Sequence, residues 1–242
     1  MGKAMEILLS FTAIRLRQSL RQIEERTGIP RTTAHGICLA LVDAEMLEVV
    51  PQRGYQLGPA FIGLGGQVIE RTGLLDAAKD VGKRLIHLDN TEAHLGQLVG
   101  GWIVYLDRTA SNFKLPMNIR MGSRTLAHTT VCGRAALAQL RPEETWRHVQ
   151  AACRSEGKDD PNRFELFDQL MAIRHRGYDI QVDTKSARTS VGSAIISVGS
   201  PVGGVSVSAP STLFADRDSA EKIVRTLHMI ATTISRRLLP AP

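Results

Sequence analysis

The chain has 242 residues, 43% of them hydrophobic and 22% charged, with a net charge of +6 and an isoelectric point near 9.5. That length accommodates two domains of about 60 and about 165 residues, each able to bury a core, and the positive balance favours polyanionic partners without selecting a fold. Cys38, Cys132 and Cys153 are too widely spaced for a disulfide framework or a zinc site, and no apolar run nears the roughly 20 residues of a membrane span, so the expectation is a soluble, cytoplasmic protein with no membrane partner and no cofactor.

Residues Met1–Glu6 lead into an amphipathic helix. Ser19 followed by Gln22 forms a capping box that starts a helix at Leu20. Gly28 suits a left-handed stop and Pro30 the first turn of a new helix, so Thr27-Gly28-Ile29-Pro30 both ends one helix and begins the next. Arg31 to about Ala44 places Ala34, Ile37, Leu41 and Ala44 on one stripe, for packing on Ile23, Ile14 and Leu8. Arg31, Thr32, Thr33, His35 and Leu39 lie on the opposite face or at its N-terminal rim, where short polar groups meet base edges in a major groove. Leu47–Val50 and Tyr55–Leu57 then flank Pro51-Gln52-Arg53-Gly54, a hairpin that carries Arg53 to its tip. Helix, tight turn, helix and hairpin in this order predict a winged helix-turn-helix over residues 1–58 that binds double-stranded DNA. A packing unit of the same shape with no nucleic-acid partner is the alternative. Seven cations stand against six acids in residues 1–60. Arg15, Arg17 and Arg21 nevertheless cluster near the start of the first helix, where backbone phosphates would lie.

Residues 59–73 predict a linker helix in which Gly63, Gly65 and Gly66 invite close packing by a partner subunit. Residues 74–242 form the second domain. A helix over Leu74–Asn90 precedes strands His94–Val99 and Trp102–Asp107 joined by Gly100-Gly101. An extended piece Met117–Ile119, helices at Val131–Leu140, Pro142–Cys153 and Asn162–Arg174, strands Tyr178–Val182, Ala194–Val198 and Gly204–Ser208, and a helix Asp216–Leu238 complete it. The class is α+β, with an antiparallel sheet covered by helices. No Gly-rich phosphate loop, paired carboxylates or Ser/His/Asp constellation points to enzymatic chemistry. His128 and Cys132 straddle a predicted loop-to-helix junction, which suits a buried thiol better than a metal site or nucleophile. Ser206 and Ser208 share one face of a strand and Val207 takes the other. Those hydroxyls face either a bound carboxylate or carbonyl, or solvent and backbone.

The order and wording of these pieces resemble the IclR family of bacterial transcriptional regulators over essentially the whole chain. The similar stretches are Thr27–Ala34, Gly54–Gly58, Gly122 with Ala127–Ala135, Arg176-Gly177-Tyr178 and Ser206–Pro210. The resemblance implies a winged helix, a dimerising linker helix and a C-terminal GAF/PAS-like effector-binding domain. It also implies homodimers or dimers of dimers that repress or activate catabolic operons in response to a small, often acidic, metabolite. By position, the effector pocket would include Gly122, His128, Thr129, Thr130, Asp183, Ser193, Ser206 and Ser208. Asp183 repels a bare anion, so a hydroxy-acid or donor-bearing ligand fits better. The chain departs from the family at Gly36, where Arg is common, at Leu39, where a polar residue is usual, and around Thr184–Val191. A regulator with a degenerate pocket, acting constitutively or through a partner protein, is the second reading, and an enzyme the third.

Overall fold

The computed structural model describes residues 1–12, 14–79, 90–111 and 120–239, which divide into two units, 1–72 and 73–242. In the first unit, α1 (Gly2–Ser10), β1 (Arg17–Gln18), α2 (Leu20–Thr27), α3 (Arg31–Asp43), β2 (Leu47–Val50), β3 (Gly54–Leu57) and α4 (Ala60–Thr72) follow one another. Both halves of the capping box form: the Gln22 amide donates to the Ser19 hydroxyl, and the Ser19 amide donates to Gln22 Oε1 at 2.9 Å. Gly28 ends α2 at φ 66°, in the left-handed region.

Ile7, Leu8, Phe11, Ile23, Ile29, Ala34, Cys38, Leu41, Leu47 and Tyr55 form the core of this unit. Each large apolar side chain removed from water there contributes about 1.5–3 kcal/mol. The packing stripe of α3 differs from the predicted one. Cys38 is fully buried, whereas Ile14 is 81% exposed and Ala44 lies beyond the helix as its exposed C-cap. Ile7 and Phe11 fill the place assigned to Ile14, because the chain turns outward at the Thr12–Arg15 bridge.

β1 escaped the sequence reading. It pairs with β3, so the wing is a three-stranded sheet in the order β1-β3-β2. Gly54, at φ 91°, lies against the Gln18 carbonyl, where any Cβ would collide with backbone. Ile62, Leu64 and Val68 of α4 are exposed, and the space around Gly63, Gly65 and Gly66 is open.

The second unit comprises α5 (Leu74–Ala78), β4 (Glu92–Val99), β5 (Trp102–Ala110), β6 (Arg124–Leu126), α6 (Val131–Leu137), α7 (Pro142–Ser155), α8 (Arg163–Arg176), β7 (Asp179–Asp183), β8 (Arg188–Ser197), β9 (Ser200–Pro210), α9 (Thr212–Ala215) and α10 (Arg217–Arg237). The helix expected over Leu74–Asn90 stops at Ala78, where Lys79 turns extended at ψ 135°, and Asn90 is left-handed at φ 57°; residues 80–89 and the extended piece Met117–Ile119 lie outside the described residues. Six antiparallel strands form one sheet in the order β6-β5-β4-β9-β8-β7. Strand β8 begins at Arg188 and β9 at Ser200, six and four residues earlier than predicted: β8 opens with Arg188-Thr189-Ser190, polar on both faces, and β9 with Ser200-Pro201, where proline speaks against a strand.

Strand alternation assigns the two faces. Ala93, Leu95, Val191, Ile195, Val205 and Val207 pack with Ile223, Leu227, Ile230 and Ile234 of α10. The other face receives α6, whose Cys132 and Ala135 join Ile103, Tyr105 and residues of α7 and α8. Gly192 permits this close approach: a Cβ there would strike the Val131 carbonyl carbon and the Cys132 amide. No described helix is long and apolar enough to cross a membrane.

Candidate functional site

In the first unit, Arg31, Thr32, Thr33, His35, Gly36 and Leu39 are all exposed along one side of α3. Glu24 Oε1 accepts from the Arg31 amide at 3.0 Å, fixing the start of α3 against α2. The Tyr55 hydroxyl, reaching from β3, stands 3.3 Å from His35 Nδ1 and orients that imidazole. Arg53 is exposed at the wing tip, where Gln52 adopts φ 61°. The three arginines expected near the start of α2 separate. Arg15 is exposed at the bridge before β1; Arg17 donates from Nε to Gln56 Oε1 at 3.0 Å within the wing; Arg21 pairs with Glu25 at 2.8 Å. Arg17 therefore belongs to the wing sheet, and the Arg21 charge is partly offset by its own helix.

In the second unit, the face of the sheet beyond α6 opens into a cavity of about 360 Å³. Thr129, Thr130, Asp183, Ser206 and Ser208 line it. The Thr130 hydroxyl caps α6 by accepting from the Gly133 amide at 3.1 Å, and Thr129 Oγ1 donates to the Leu126 carbonyl at 2.8 Å. The Asp183 carboxylate accepts from Ser186 Oγ at 2.6 Å and from the Lys185 amide at 3.0 Å. Those bonds, the hydroxyl foremost, hold it below its ordinary value and keep it ionised at the cavity rim.

Gly122, His128 and Ser193 do not line this cavity. Gly122 takes φ 78° in the turn before β6, its amide donating to the Tyr105 carbonyl at 2.8 Å. His128 presents its carbonyl to Arg134, and burial, with Arg134 and Lys158 nearby, pushes its imidazole below the ordinary value. Ser193 shares its parity with Val191 and Ile195, so it points to the α10 face and reaches the Gly177 carbonyl. Ser190, of the other parity, is the β8 serine that the cavity meets.

Other lining groups come from parts of the chain that sequence spacing does not connect: Glu92 and His94 on β4, Tyr105 on β5, Cys132 on α6, Gln181 on β7 and Arg188 on β8. Arg188 Nε donates to Ser208 Oγ at 3.0 Å, and its Nη2 donates to the carbonyls of Ser208 and Asn90 at 2.7 and 3.0 Å. The His94 imidazole and the Arg108 guanidinium hold the Glu92 carboxyl below the usual range against its burial. Burial raises the Cys132 thiol and the Tyr105 phenol, leaving both neutral. Arg134 ties the wall to the floor, donating to Asp179 Oδ2 at 2.6 Å, to Gln181 Oε1 at 2.8 Å and to the His128 carbonyl at 3.2 Å. Among the described residues no cluster of His, Cys, Asp or Glu could hold a metal ion.

A winged helix with an exposed recognition face, on the same chain as an α+β domain holding a polar cavity, defines a two-part DNA-binding regulator. The model of the IclR helix-turn-helix domain matches residues 2–51, and that of the bacterial transcriptional regulator IclR C-terminal domain matches residues 66–236. The chain belongs to the IclR family of transcriptional regulators, with a DNA-binding helix-turn-helix and a C-terminal effector domain; the matching families and relatives are regulators, not enzymes. It is 26% identical to the HTH-type transcriptional regulator BhcR of Paracoccus denitrificans over 223 residues, 89% of this chain and 79% of that one. To TtgV of Pseudomonas putida it is 31% identical, over 68% of this chain and 63% of that protein. An IclR homologue from Microbacterium hydrocarbonoxydans, solved in complex with 4-hydroxybenzoate, has a TM-score of 0.78 at 21% identity over 98% of both chains. An IclR-type regulator from Silicibacter gives 0.79 at 22% identity, covering 100% of this chain and 97% of that one.

Proposed function

We propose that this protein is a regulator of catabolic genes whose operator affinity is set by a small acidic or hydroxylated metabolite bound in the cavity. The observation that carries the reading is the alternation of β9: Val205 and Val207 are committed to the α10 core, while Ser206 and Ser208 face a cavity beside Arg188. Oxygen-bearing groups around a partly apolar hollow orient small polar ligands. The 4-hydroxybenzoate held by the Microbacterium relative belongs to that chemical class.

In this reading Thr32, Thr33, His35 and Leu39 enter the major groove, with Leu39 against a thymine methyl. Arg15, Arg17, Arg21, Arg31 and Arg53 meet phosphates. The exposed Ile62, Leu64 and Val68 of α4 pair with a second copy, since a palindromic operator asks for two recognition helices. The ligand acts by binding the DNA-competent and incompetent states unequally.

The test is recovery of genomic fragments by the purified protein at near-physiological salt with excess random competitor. Titration of metabolites consumed by the neighbouring gene products then follows on the recovered sites. A few specific sites whose affinity shifts with one metabolite, and a shift lost in the Ser206→Ala, Ser208→Ala double variant while ligand-free binding persists, are expected. Sequence-blind, salt-sensitive binding alone, or a normal titration by the double variant, would overturn the proposal.

A further inference from the structure

A buried phenol controls an exposed imidazole on α3. Tyr55 is 8% exposed and belongs to the core that contains Cys38 and Leu41. Its strand is the middle one of the wing sheet, so Tyr55 pairs with Gln18 on one side and Val49 on the other. Gln18 is itself fully buried, donating from its side-chain amide to Ser10 Oγ at 2.9 Å and accepting from Arg26. The phenol is therefore held from both flanks. Among the described residues its hydroxyl has one hydrogen-bond partner, His35 Nδ1 at 3.3 Å.

This contact decides which nitrogen of His35 carries the hydrogen. Burial raises the Tyr55 phenol, so it keeps its proton. A phenol donates more readily than it accepts, and the bare nitrogen of a neutral imidazole is a good acceptor, so Tyr55 donates to Nδ1 and the ring hydrogen sits on Nε2. His35 is exposed, and its Nε2 has no hydrogen-bond partner among the described residues. It stands as a single N–H donor of fixed direction. Beyond Arg31 in the first turn, α3 carries no other nitrogen-bearing side chain, and Gly36, next to His35, leaves open space beside it.

A lone donor meets the base edges of the major groove unequally. Guanine sets two acceptors, N7 and O6, side by side; adenine N7 and thymine O4 each lie next to the N6 amino donor of their pair; cytosine offers only a donor. We propose that the Tyr55–His35 pair makes α3 specific for a guanine at one position of its site, with His35 Nε2 donating to the N7/O6 edge and Tyr55 as the positioning residue that keeps it a donor. The inference rests on α3 lying in the major groove, and it adds the base that is read and the residue that enforces the reading. In the sequence, Tyr55 reads only as a strand residue of the wing.

The experiment is selection of a randomised DNA library by the full-length protein, followed by affinities for the selected site with each base in turn, and with 7-deazaguanine, at the position that His35→Ala relaxes. The wild type is expected to prefer guanine there by about threefold to tenfold and to lose a similar factor on 7-deazaguanine, the worth of one hydrogen bond. His35→Ala should abolish both effects. Tyr55→Phe keeps the ring in the core, and should lose most of the same preference while binding random DNA with unchanged affinity and salt slope. His35→Gln, whose amide offers a donor and an acceptor together, should move the position toward adenine and no longer respond to Tyr55→Phe. A selected site whose profile is unchanged by His35→Ala, a His35 position that prefers another base, or a Tyr55→Phe protein as discriminating as the wild type would overturn the assignment and leave α3 in the groove. Failure of the wild type to select any sequence would overturn the groove placement and the assignment together.

Discussion

Replacing Arg134 by Met removes the cation from a buried pair that holds the cavity wall together. Asp179 is fully buried and receives Arg134 Nε at 2.6 Å. Breaking such a pair by deleting one partner ordinarily costs about 3–5 kcal/mol, because the remaining charge stays buried. Here Arg176 remains 3.2 Å from Asp179 Oδ1 and the Ile180 amide donates to the same oxygen at 2.8 Å, which places the expected loss near the lower end, about 3 kcal/mol. Burial raises the Asp179 carboxyl above its ordinary value even with Arg134 present, and Arg134 works against that rise. A raised carboxyl value means a penalty that is absent below the unfolded value and grows as pH rises through the folded one. Without Arg134 the folded value climbs further, so the variant's deficit should be largest near neutral pH and shrink on acidification toward about pH 5.

Urea unfolding followed by tryptophan fluorescence measures this directly, since Trp102 and Trp146 both belong to the second unit and the first contains no tryptophan. Adding Asp179→Asn should restore more than half of the lost stability. A loss under about 1 kcal/mol at neutral pH, or a loss identical at both pH values, would refute the account of this pair.

Gly36→Arg meets open space on an exposed helical turn, so it should stabilise α3 by about 1 kcal/mol and steepen the salt dependence of DNA binding by about one phosphate contact, read from binding isotherms across a salt series. Thr33→Ala should relax sequence preference while Arg53→Ala weakens all sequences and flattens the salt slope; equal effects of both on operator and random DNA would discredit the groove assignment. Gly192→Ala should force α6 off the sheet, costing roughly 1–3 kcal/mol in urea unfolding and loosening ligand binding at Thr130. Unchanged stability would show that the backbone contact with Val131 is soft.

Local chemistry was well written in the sequence and long-range geometry was not. Ser19, Gln22, Gly28 and Pro30 each specify backbone geometry within four residues, and α2 and α3 begin where those residues place them. The β9 alternation was equally readable, because a two-residue period needs no knowledge of the partner strand. Arg188 was missed for the opposite reason. Its strand opens with Arg188-Thr189-Ser190, polar on both faces: Thr189 bonds to Ser211 on one side and Ser190 meets the cavity on the other. Without an apolar alternation the predicted strand starts only at Ala194, and Ser193 enters the pocket set through the family resemblance, with no parity to check it against. Glu92 and His94 stand about a hundred residues from Arg188, and only the pairing of β4 and β8 with β9 brings them together. Cys38 was passed over as a packing residue because Ile37 and Ala44 satisfied the helical period on hydrophobicity alone; burial raises its thiol to about 11, as expected of an inert core group.

The sheet that floors the cavity also has a history it can and cannot take. On β8 and β9 the odd-numbered positions 191, 195, 205 and 207 are answerable to the α10 core, and the even-numbered 192 and 204 are glycines pressed by α6. That leaves 188, 190, 206 and 208 as the cavity positions of these two strands where a single-codon change can alter the hollow without disturbing the layer behind it. A lineage adopting a new nutrient signal could therefore retune its ligand in a few mutational steps on four side chains, while selection for a folded protein continues to act on their immediate neighbours.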